Sequence, residues 1–556
     1  MSSNQRLMLA VALSVIFFVG YTAIFPPVQP EETDSQKSNK VEIKQNSTQQ
    51  TSSATQQRVE AATGHALSQQ DAMAATASSD IVTVTNKNFI LKIDTLGRIS
   101  SKELLQNKFN DKEDIHAQLI PAFGTKPLFI RFLDESLNKE AITVAYEASV
   151  SNIAIDGEPQ KVTLTQKLSS LTVTKELTFY ADGHYDALVS LSKDKRYFIY
   201  LGQRPKVNEK EQMMAAVGAM LYSGDEILTI IEDGDVESRQ TYSNILIAAS
   251  FDQYNAIAMY GFSRDTNIVI EKDRDDNPVV YLDAVQNMKF SGYIGQKEYK
   301  VLENIDPMLT NLIEYGWFTF ASKPLFQLLS WLHSIFGNWG WSIIALTLLI
   351  RAVLYPLTYK GMMSMQKIKK ISPQIKEIQA KYKGDPQRMN AAVMEMYKKH
   401  NANPLGGCLP MLLQIPVFFA IYRVLLNAVE LQGAPWMMWV TDLSRMDSYY
   451  ILPVLMGASM FYQQKLTPNN FTDPMQEKVF KYLPLIFTFF FFTFPSGLVL
   501  YWFVNNLFSI GQQFIVNAQF KNATDAEVAA HKHAQREEKK KLKNSTDKKD
   551  SGKKDD

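Results

Sequence analysis

Residues 340–360 read GWSIIALTLLIRAVLYPLTYK, an apolar run with Arg351 near its middle and Lys360 at its end. A helix rises about 1.5 Å per residue. A run of this length therefore spans a hydrocarbon core of roughly 30 Å and places Arg351 near its centre. Insertion scales give an arginine at that depth a cost of about 2.5–3.5 kcal/mol. The chain is therefore expected to surround this side chain with water or with polar groups.

One face of this predicted helix carries a stripe of polar side chains. Thr347, Arg351, Tyr355 and Thr358 recur at helical spacing, whereas the other faces carry mainly Ile, Leu, Ala and Val. The stripe predicts a hydrophilic pocket inside the membrane, into which Arg351 points. The alternative is a snorkelling arginine whose aliphatic stem reaches an interface, but that reach is poor from the middle of a span.

The composition narrows the class of protein. The 556 residues include 58 Lys and Arg and 57 Asp and Glu, and the two signs of charge are segregated along the chain. The single cysteine, Cys408, excludes an intramolecular disulfide. The predicted core spans hold no Asp, Glu or His, and the chain carries no phosphate-binding glycine loop, zinc motif or serine elbow. We therefore expect neither an enzyme nor a cofactor or metal site.

The first 79 residues read as an anchor followed by a linker. Residues 1–6 are polar, and residues 7–25 form an apolar run longer than the usual signal-peptide core, with no small-residue cleavage site after it. This pattern predicts an uncleaved transmembrane signal anchor, with a cleaved signal peptide as the alternative. Residues 26–79 are rich in Gln, Ser, Thr and Ala and predict a flexible periplasmic linker.

Residues 80–307 change to short β-branched and aromatic runs that alternate apolar with polar residues. They predict a large all-β sandwich domain on the periplasmic side. Asp273, Asp275 and Asn277 imitate the start of a calcium loop. Because Pro278 stands where that loop needs glycine, we expect an exposed turn instead.

Residues 310–336 are apolar and aromatic, with leucines at helical spacing. They predict an amphipathic helix in the membrane interface, or alternatively a helix packed under the β-domain.

The rest of the chain alternates apolar spans with charged segments. The predicted order is transmembrane 2 (340–360), a basic cytoplasmic helical hairpin (361–404), transmembrane 3 (405–427), a periplasmic loop (428–448), transmembrane 4 (449–464), a cytoplasmic loop (465–481), transmembrane 5 (482–494), transmembrane 6 (496–517) and a basic cytoplasmic tail (518–556). Together with the anchor this gives six transmembrane helices, of which five form a core. The positions of the basic loops predict that both termini are cytoplasmic.

Two capping motifs predict where the helices of the hairpin begin, and one of the predicted spans is short. Ser372-Pro373 and Asp385-Pro386 each read as an N-cap followed by the first residue of a helix. Residues 482–494 would span only about 20 Å as a helix. A span this short would thin the bilayer, unless the helix extends beyond these ends.

Polar side chains recur in two other spans. Asn505, Ser509 and Gln512 share one stripe of the last span, with Trp502 a turn earlier, and Gln414 lies between two prolines of transmembrane 3. With Thr347 and Arg351 they suggest a wet cavity lined by several helices. The alternative is that they form interhelical hydrogen bonds, which contribute about 0.6 kcal/mol each on average.

Four motifs carry a family resemblance. They are GNWGWSIIALTLLIRAVLYPLT around Arg351, NPLGGCLPMLLQIPVF at 403–418, DPMQ at 473–476 and FPSGLVLYWFVNN at 494–506. The chain resembles the YidC membrane protein insertases of Gram-negative bacteria in these motifs and in its whole plan. The resemblance implies a hydrophilic groove that is open to the cytoplasm and to lipid and closed to the periplasm.

The resemblance also implies roles for individual residues. Thr347, Arg351, Gln414 and Asn505 correspond to groove positions, and Ser509 joins them through its place on the stripe. Substrate-helix contacts map to Cys408, Leu409, Leu485, Thr488 and Tyr501. Trp502 stands where the family often has a second tyrosine, which keeps an aromatic wall but removes any role that needs a hydroxyl.

The expected function is that of an insertase and chaperone for integral inner-membrane proteins, acting alone and together with the Sec translocase. The resemblance implies that nascent membrane proteins and accessory subunits of that translocase are partners. The Lys-rich tail is a candidate contact for the translating ribosome or for anionic membrane lipid, and a solvated tail is the alternative. Two other hypotheses from the residues are a small-solute transporter, which the lack of intramembrane acids disfavours, and a structural scaffold for another translocase.

Overall fold

The structure, a computed structural model, describes residues 79–109, 116–207, 215–400, 402, 409–466 and 474–522. The predicted signal anchor, nearly all of the linker, Cys408 and the tail beyond residue 522 lie outside the described residues. In the described part, the strands come first, with one short helix among them, and the other helices follow.

The β-domain contains eighteen strands within the described residues. They are β1 Asp80–Thr85, β2 Phe89–Asp94, β3 Ile99–Leu104, β4 Ile130–Phe132, β5 Glu147–Ala148, β6 Asn152–Ala154, β7 Gln160–Lys167, β8 Thr172–Phe179, β9 His184–Leu191, β10 Arg196–Tyr200, β11 Gly218–Ser223, β12 Leu228–Glu232, β13 Gln240–Tyr242, β14 Ile245–Phe251, β15 Asn255–Tyr260, β16 Asn267–Lys272, β17 Pro278–Val285 and β18 Met288–Gln296.

These strands form three sheets around one hydrophobic core. The orders are β3-β2-β1-β6, β13-β16-β17-β10-β4 and β12-β11-β14-β15-β18-β9-β8-β7-β5. Neighbouring strands are antiparallel except β1 and β6. All three sheets contribute buried side chains to the same core, as expected for sheets that pack face to face. The turn between β16 and β17 contains Asp273, whose carboxylate accepts hydrogen bonds from the backbone N–H groups of Asp275 and Asn277.

The nine-stranded sheet is covered on one face in one part and on both faces in another. In β7, β8 and β9 buried and partly exposed residues alternate, so one face is covered. In β14 and β15 nearly every residue is buried, because the second face packs against the helices that follow the domain. Small side chains on that face, such as Ala249, Ala256 and Ala258, allow this close approach.

Several lysines of the β-domain are fully buried, among them Lys175 and Lys102. The ammonium nitrogen of Lys175 donates to the carbonyl oxygens of Gly97 and Leu128, both at 2.8 Å. That of Lys102 donates to the carbonyl oxygens of Gly183 and Ile294. Burial lowers the pKa of each amine to about 7, because desolvation penalises the charged form.

The described residues form nine α-helices. They are α1 Glu135–Ala141, α2 Tyr299–Ile305, α3 Thr319–Phe336, α4 Trp339–Lys381, α5 Pro386–Lys399, α6 Leu409–Asn427, α7 Ile451–Leu466, α8 Pro474–Phe491 and α9 at 496–522.

Helix α3 is shorter than the predicted 310–336 segment, because two 3-10 turns, Pro307–Leu312 and Gly316–Phe318, precede it. It buries Ser322, Phe326, Leu329 and Leu332, and the Ser322 hydroxyl donates to the carbonyl oxygen of Ala420 on α6.

Helix α4 contradicts the prediction that the first helix of the basic hairpin starts at Pro373. It runs unbroken from Trp339 to Lys381, so Ser372 is not an N-cap and Pro373 lies inside a helix. The preceding turns already supply the helical nucleus, although the proline removes one backbone hydrogen bond and its ring crowds the carbonyl four residues earlier. Burial of Ile368, Ile371 and Ile375 in a small core with residues of α5 offsets that loss. The second signal is confirmed, since the Asp385 carboxylate accepts from the backbone N–H of Arg388 at the start of α5.

Helix α8 is longer than the predicted fifth span, although its apolar stretch, Lys481–Phe491, is short. It begins at Pro474, eight residues before the predicted start at Tyr482, and ends at Phe491. Its 18 residues span about 27 Å. Proline is favoured at the first helical position because its missing N–H would have no partner there.

Among the described residues, one helix, α4, is both long and apolar enough to cross a membrane; α6 and α8 contain shorter apolar stretches. The count of six spans stays a prediction.

Candidate functional site

The polar stripe of α4 divides into buried and exposed members. Thr347 is buried, and its hydroxyl donates to the carbonyl oxygen of Ile343 in its own helix at 2.7 Å. Thr358 is buried as well, whereas Tyr355 is exposed and stacks on Tyr359. The spacing therefore locates the inward face of the helix, but Tyr355 does not belong to it.

Arg351 is half-buried and is held by α9. Its Nε donates to Oδ1 of Asn505 at 2.7 Å, and its Nη2 donates to Oγ of Ser509 at 2.7 Å and to the carbonyl oxygen of Asn505 at 3.3 Å. Hydrogen bonds to charged groups contribute about 1.5–3 kcal/mol each. Two good ones are therefore comparable with the cost of placing an arginine at mid-membrane, about 2.5–3.5 kcal/mol. Within the described residues, Arg351 makes no ion pair.

Beyond Ser509, toward the C-terminal end of α9, polar side chains of α9 form hydrogen bonds with polar side chains of α4. We call this line of contacts the α4–α9 seam. Nε2 of Gln512 donates to Oγ1 of Thr358 at 2.6 Å, and the Tyr359 hydroxyl donates to Oε1 of Gln519 at 2.8 Å. One more side-chain hydrogen bond joins Gln366 to Asn517. The part of the stripe beyond Ser509 thus acts in helix–helix association, which was the alternative interpretation of these residues.

Helices α7 and α8 lie close together at Gly457. A Cβ atom at that position would overlap with Oγ1 of Thr488 on α8. The Thr488 hydroxyl itself donates to the carbonyl oxygen of Pro484. Thr488, predicted to contact a substrate helix, therefore lies in the α7–α8 contact. By contrast, Leu485, also on α8, is 69% exposed.

Tyr501 and Trp502 of α9 face inward. The Trp502 ring lies 4.6 Å from that of Phe418 on α6 and 4.9 Å from that of Phe491 on α8. Tyr501 is buried, and Gln414 on α6 is half-buried. Trp502 thus packs among the rings of α6 and α8. Of the remaining predicted contact residues, Cys408 lies outside the described residues, and only the backbone of Leu409 is described.

The loop between α6 and α7 covers the start of α9. The Ser496 N–H and hydroxyl both donate to the carbonyl oxygen of Arg445, at 2.7 and 2.8 Å. Asp447 accepts from the Trp439 indole N–H and from the backbone N–H of Leu452, which fixes the loop at the start of α7. These bonds attach the loop to the start of α9 and to the start of α7.

Several members of the α4–α9 seam were not predicted from the sequence, namely Tyr359, Gln366, Asn517 and Gln519. A signal was available, because Gln512 and Gln519 repeat the position of Asn505 at intervals of seven residues. A seven-residue repeat marks the line along which two helices meet.

Comparison with known proteins gives two family matches and many relatives. Residues 331–523 match the family described as 60Kd inner membrane protein, and residues 249–328 match that described as YidC periplasmic domain.

Three relatives named membrane protein insertase YidC cover nearly the whole chain. The one from Wolinella succinogenes is 48% identical over 92% of this chain and 95% of its own length. The one from Campylobacter jejuni is 46% identical over 93% and 96%, and the one from Helicobacter pylori 41% identical over 94% and 97%. With its β-sandwich domain and helical membrane core, this chain belongs to the YidC family of membrane protein insertases, inner-membrane proteins with a periplasmic domain rather than catalytic enzymes.

Proposed function

We propose that this protein inserts integral membrane proteins into the inner membrane through a hydrophilic groove that contains Arg351. The observation that carries the proposal is an arginine inside an apolar helix bundle, held by an amide and a hydroxyl of α9. Its positive charge is not neutralised by any described carboxylate. The names of its relatives support the same activity.

The charge of Arg351 has a direct role in this mechanism. A short polar extracellular part of a client enters the groove, and Arg351 attracts its acidic groups. Thr347, Gln414, Asn505 and Ser509 provide the other polar positions of the groove. The membrane potential assists the outward movement of acidic residues, since each elementary charge gains about 2.3 kcal/mol per 100 mV. No nucleotide is required for this step.

The client helix then leaves toward lipid along α6 and α8. The exposed apolar residues of α8, among them Leu485, Ile486 and Phe489, support this exit. Burial of apolar surface supplies the driving force, at about 25 cal/mol per Å². Cys408, Leu409, Thr488, Tyr501 and Trp502 complete the proposed path, with Thr488 and Trp502 acting after α8 moves, because both lie in helix contacts.

The wider proposal concerns orientation and partners. The chain would cross the membrane six times with both termini in the cytoplasm. It would act both alone and with the Sec translocase through accessory subunits, and would also assist folding as a chaperone. Nascent membrane proteins are the clients; the basic hairpin and tail are candidate contacts for the translating ribosome and for anionic lipid.

The test compares Arg351→Ala and Arg351→Lys with the natural protein in reconstituted vesicles. The client has one span and an acidic extracellular tail. Because the alanine variant removes the charge, we expect its insertion rate to fall about tenfold, or about 1.4 kcal/mol in activation free energy. The lysine variant should stay much closer to the natural protein. Equal insertion by the alanine variant would contradict the charge role.

A further inference from the structure

The guanidinium of Arg351 has two edges that can receive a carboxylate. The side edge, formed by Nε and Nη2, fits a carboxylate with two parallel hydrogen bonds. Here that edge is occupied by Oδ1 of Asn505 and Oγ of Ser509, both at 2.7 Å. Among the described residues, none accepts a hydrogen bond from Nη1. Nη2 also donates to the carbonyl oxygen of Asn505 at 3.3 Å. A client carboxylate can therefore approach Arg351 only from the Nη1 side.

The donor and acceptor groups of Asn505 and Ser509 fit these contacts with Arg351. The Ser509 hydroxyl donates its proton to the carbonyl oxygen of Asn505 at 3.0 Å, so a lone pair of Oγ is directed at Nη2. Oδ1 of Asn505 accepts from Nε, and an amide oxygen carries no net charge. Both groups thus orient the guanidinium and leave its full positive charge in place.

Contacts on both sides hold α9 in position. Toward α4, Gln512 donates to Thr358 one turn after Ser509. Toward α7, Nδ2 of Asn506 donates to Oγ of Ser459 at 3.3 Å. Asn505 and Asn506 are both buried, yet they point to different helices. Asn505 is therefore fixed against Arg351 by the packing of the bundle.

We infer that Asn505 and Ser509 are specificity-determining positioning residues. Their uncharged acceptors orient the guanidinium of Arg351 so that Nη1 faces the client, and they keep its positive charge available for acidic client segments. This inference rests on the proposed function of Arg351. It requires that the acceptor at position 505 be neutral, because a carboxylate there would form an internal ion pair with Nε. Such a pair would compete with the client for the same charge.

The test is the substitution Asn505→Asp, which keeps the shape of the side chain and adds one negative charge beside Arg351. The purified full-length protein is reconstituted in vesicles with two clients that differ only in an acidic or an amide-substituted extracellular tail. We expect the ratio of acidic to neutral client insertion to fall about tenfold relative to the natural protein. Ser509→Asp serves as a second variant that should act in the same direction.

Asn506→Asp is the matched control, since it adds the same charge one residue away, against α7. It should leave the ratio of acidic to neutral client insertion unchanged. Asn505→Ser retains an uncharged acceptor and should also preserve that ratio.

The possible results separate the inference from the proposed function. If Asn505→Asp and Ser509→Asp leave the client ratio unchanged while Arg351→Ala lowers it, the positioning role is wrong and the charge role stands. If the two aspartate variants lower the insertion of both clients equally, or fail to fold, their effect is structural and the inference is overturned. If Arg351→Ala itself leaves the ratio unchanged, the proposed charge role fails.

Discussion

Arg351 and Lys102 illustrate two ways in which a basic side chain is accommodated in an apolar interior. Arg351 keeps its charge, because guanidinium is protonated at any physiological pH and finds neutral acceptors on α9. Lys102 is fully buried, with carbonyl oxygens as acceptors and the ring of Phe89 at 4.1 Å. An amine in that setting can lose its proton instead.

The buried lysines make the stability of the β-domain depend on pH. Burial lowers the pKa of Lys102 to about 7, against 10.5 for the ordinary group. Between these values the unfolded chain binds a proton that the folded domain does not, so stability rises with pH across this window. For each such lysine the slope is at most about 1.4 kcal/mol per pH unit.

We predict that Lys102→Met reduces the pH dependence of β-domain stability between pH 7 and pH 10. Hydrogen exchange of the β2, β3 and β9 amides in the full-length protein, corrected for intrinsic exchange rates, measures that stability. Lys175 keeps part of the dependence in this variant, since its pKa is lowered in the same way. Lys289→Met, at an exposed position of β18, is the control that should match the natural protein. An unchanged slope in Lys102→Met would contradict the account.

At the scale of elements, the positions of the apolar helices follow from the sequence, but some of their ends do not. Asp385-Pro386 begins a helix as predicted, whereas Ser372-Pro373 does not, although the two signals look alike. The difference lies in the residues that precede each motif. Gly384, just before α5, has a φ of +110°, which is outside the helical region. Before Pro373 the residues are already helical. An N-cap motif therefore starts a new helix only where the preceding residues are not already helical.

The α7–α8 pair provides a direct test at this scale. Gly457→Ala places a methyl group against Thr488, whose hydroxyl is already bonded to Pro484. Because overpacking of this kind costs about 1–3 kcal/mol, we predict a lower thermal unfolding midpoint for the detergent-solubilised protein.

Gly511→Ala is the control for this substitution, since Gly511 lies in α9 with open space around its Cβ position. There the change should be neutral or stabilising, by about 0.5–1 kcal/mol, because alanine favours helix. A Gly457→Ala variant as stable as the natural protein would show that α7 and α8 are not in close contact.

At the scale of the whole molecule, the β-domain and the helical core are joined through buried polar contacts. Nε2 of Gln253, in the β14–β15 turn, donates to the carbonyl oxygen of Leu426 at 2.7 Å. Glu430 accepts from the backbone N–H of Tyr299, and burial raises its pKa to about 7. Glu314 and Arg423 form an ion pair at 3.3 Å with little exposure.

The sequence identifies residues of the Arg351 cluster more readily than residues of this junction, for a physical reason. A charge or an amide in an apolar span stands out against its neighbours, and helical spacing assigns Arg351, Asn505 and Ser509 to faces without further information. Gln253, Glu314 and Glu430 are ordinary polar residues in turns and loops. Their partners are far apart along the chain, and only the tertiary packing brings them together.

The central claim is that Arg351 is hydrated from the cytoplasmic side, and thiol labelling tests it most directly. Arg351→Cys is prepared in a Cys408→Ser background, which removes the single natural cysteine. Membrane vesicles that expose the cytoplasmic face are then treated with a membrane-impermeant thiol reagent. Val353→Cys, at a 76% exposed position on an apolar face of the same helix, is the control at nearly the same depth. Because the thiolate is the reactive form and needs water, the account predicts that the cysteine at 351 reacts at least about ten times faster than that at 353. Equally slow reaction at both positions would contradict it.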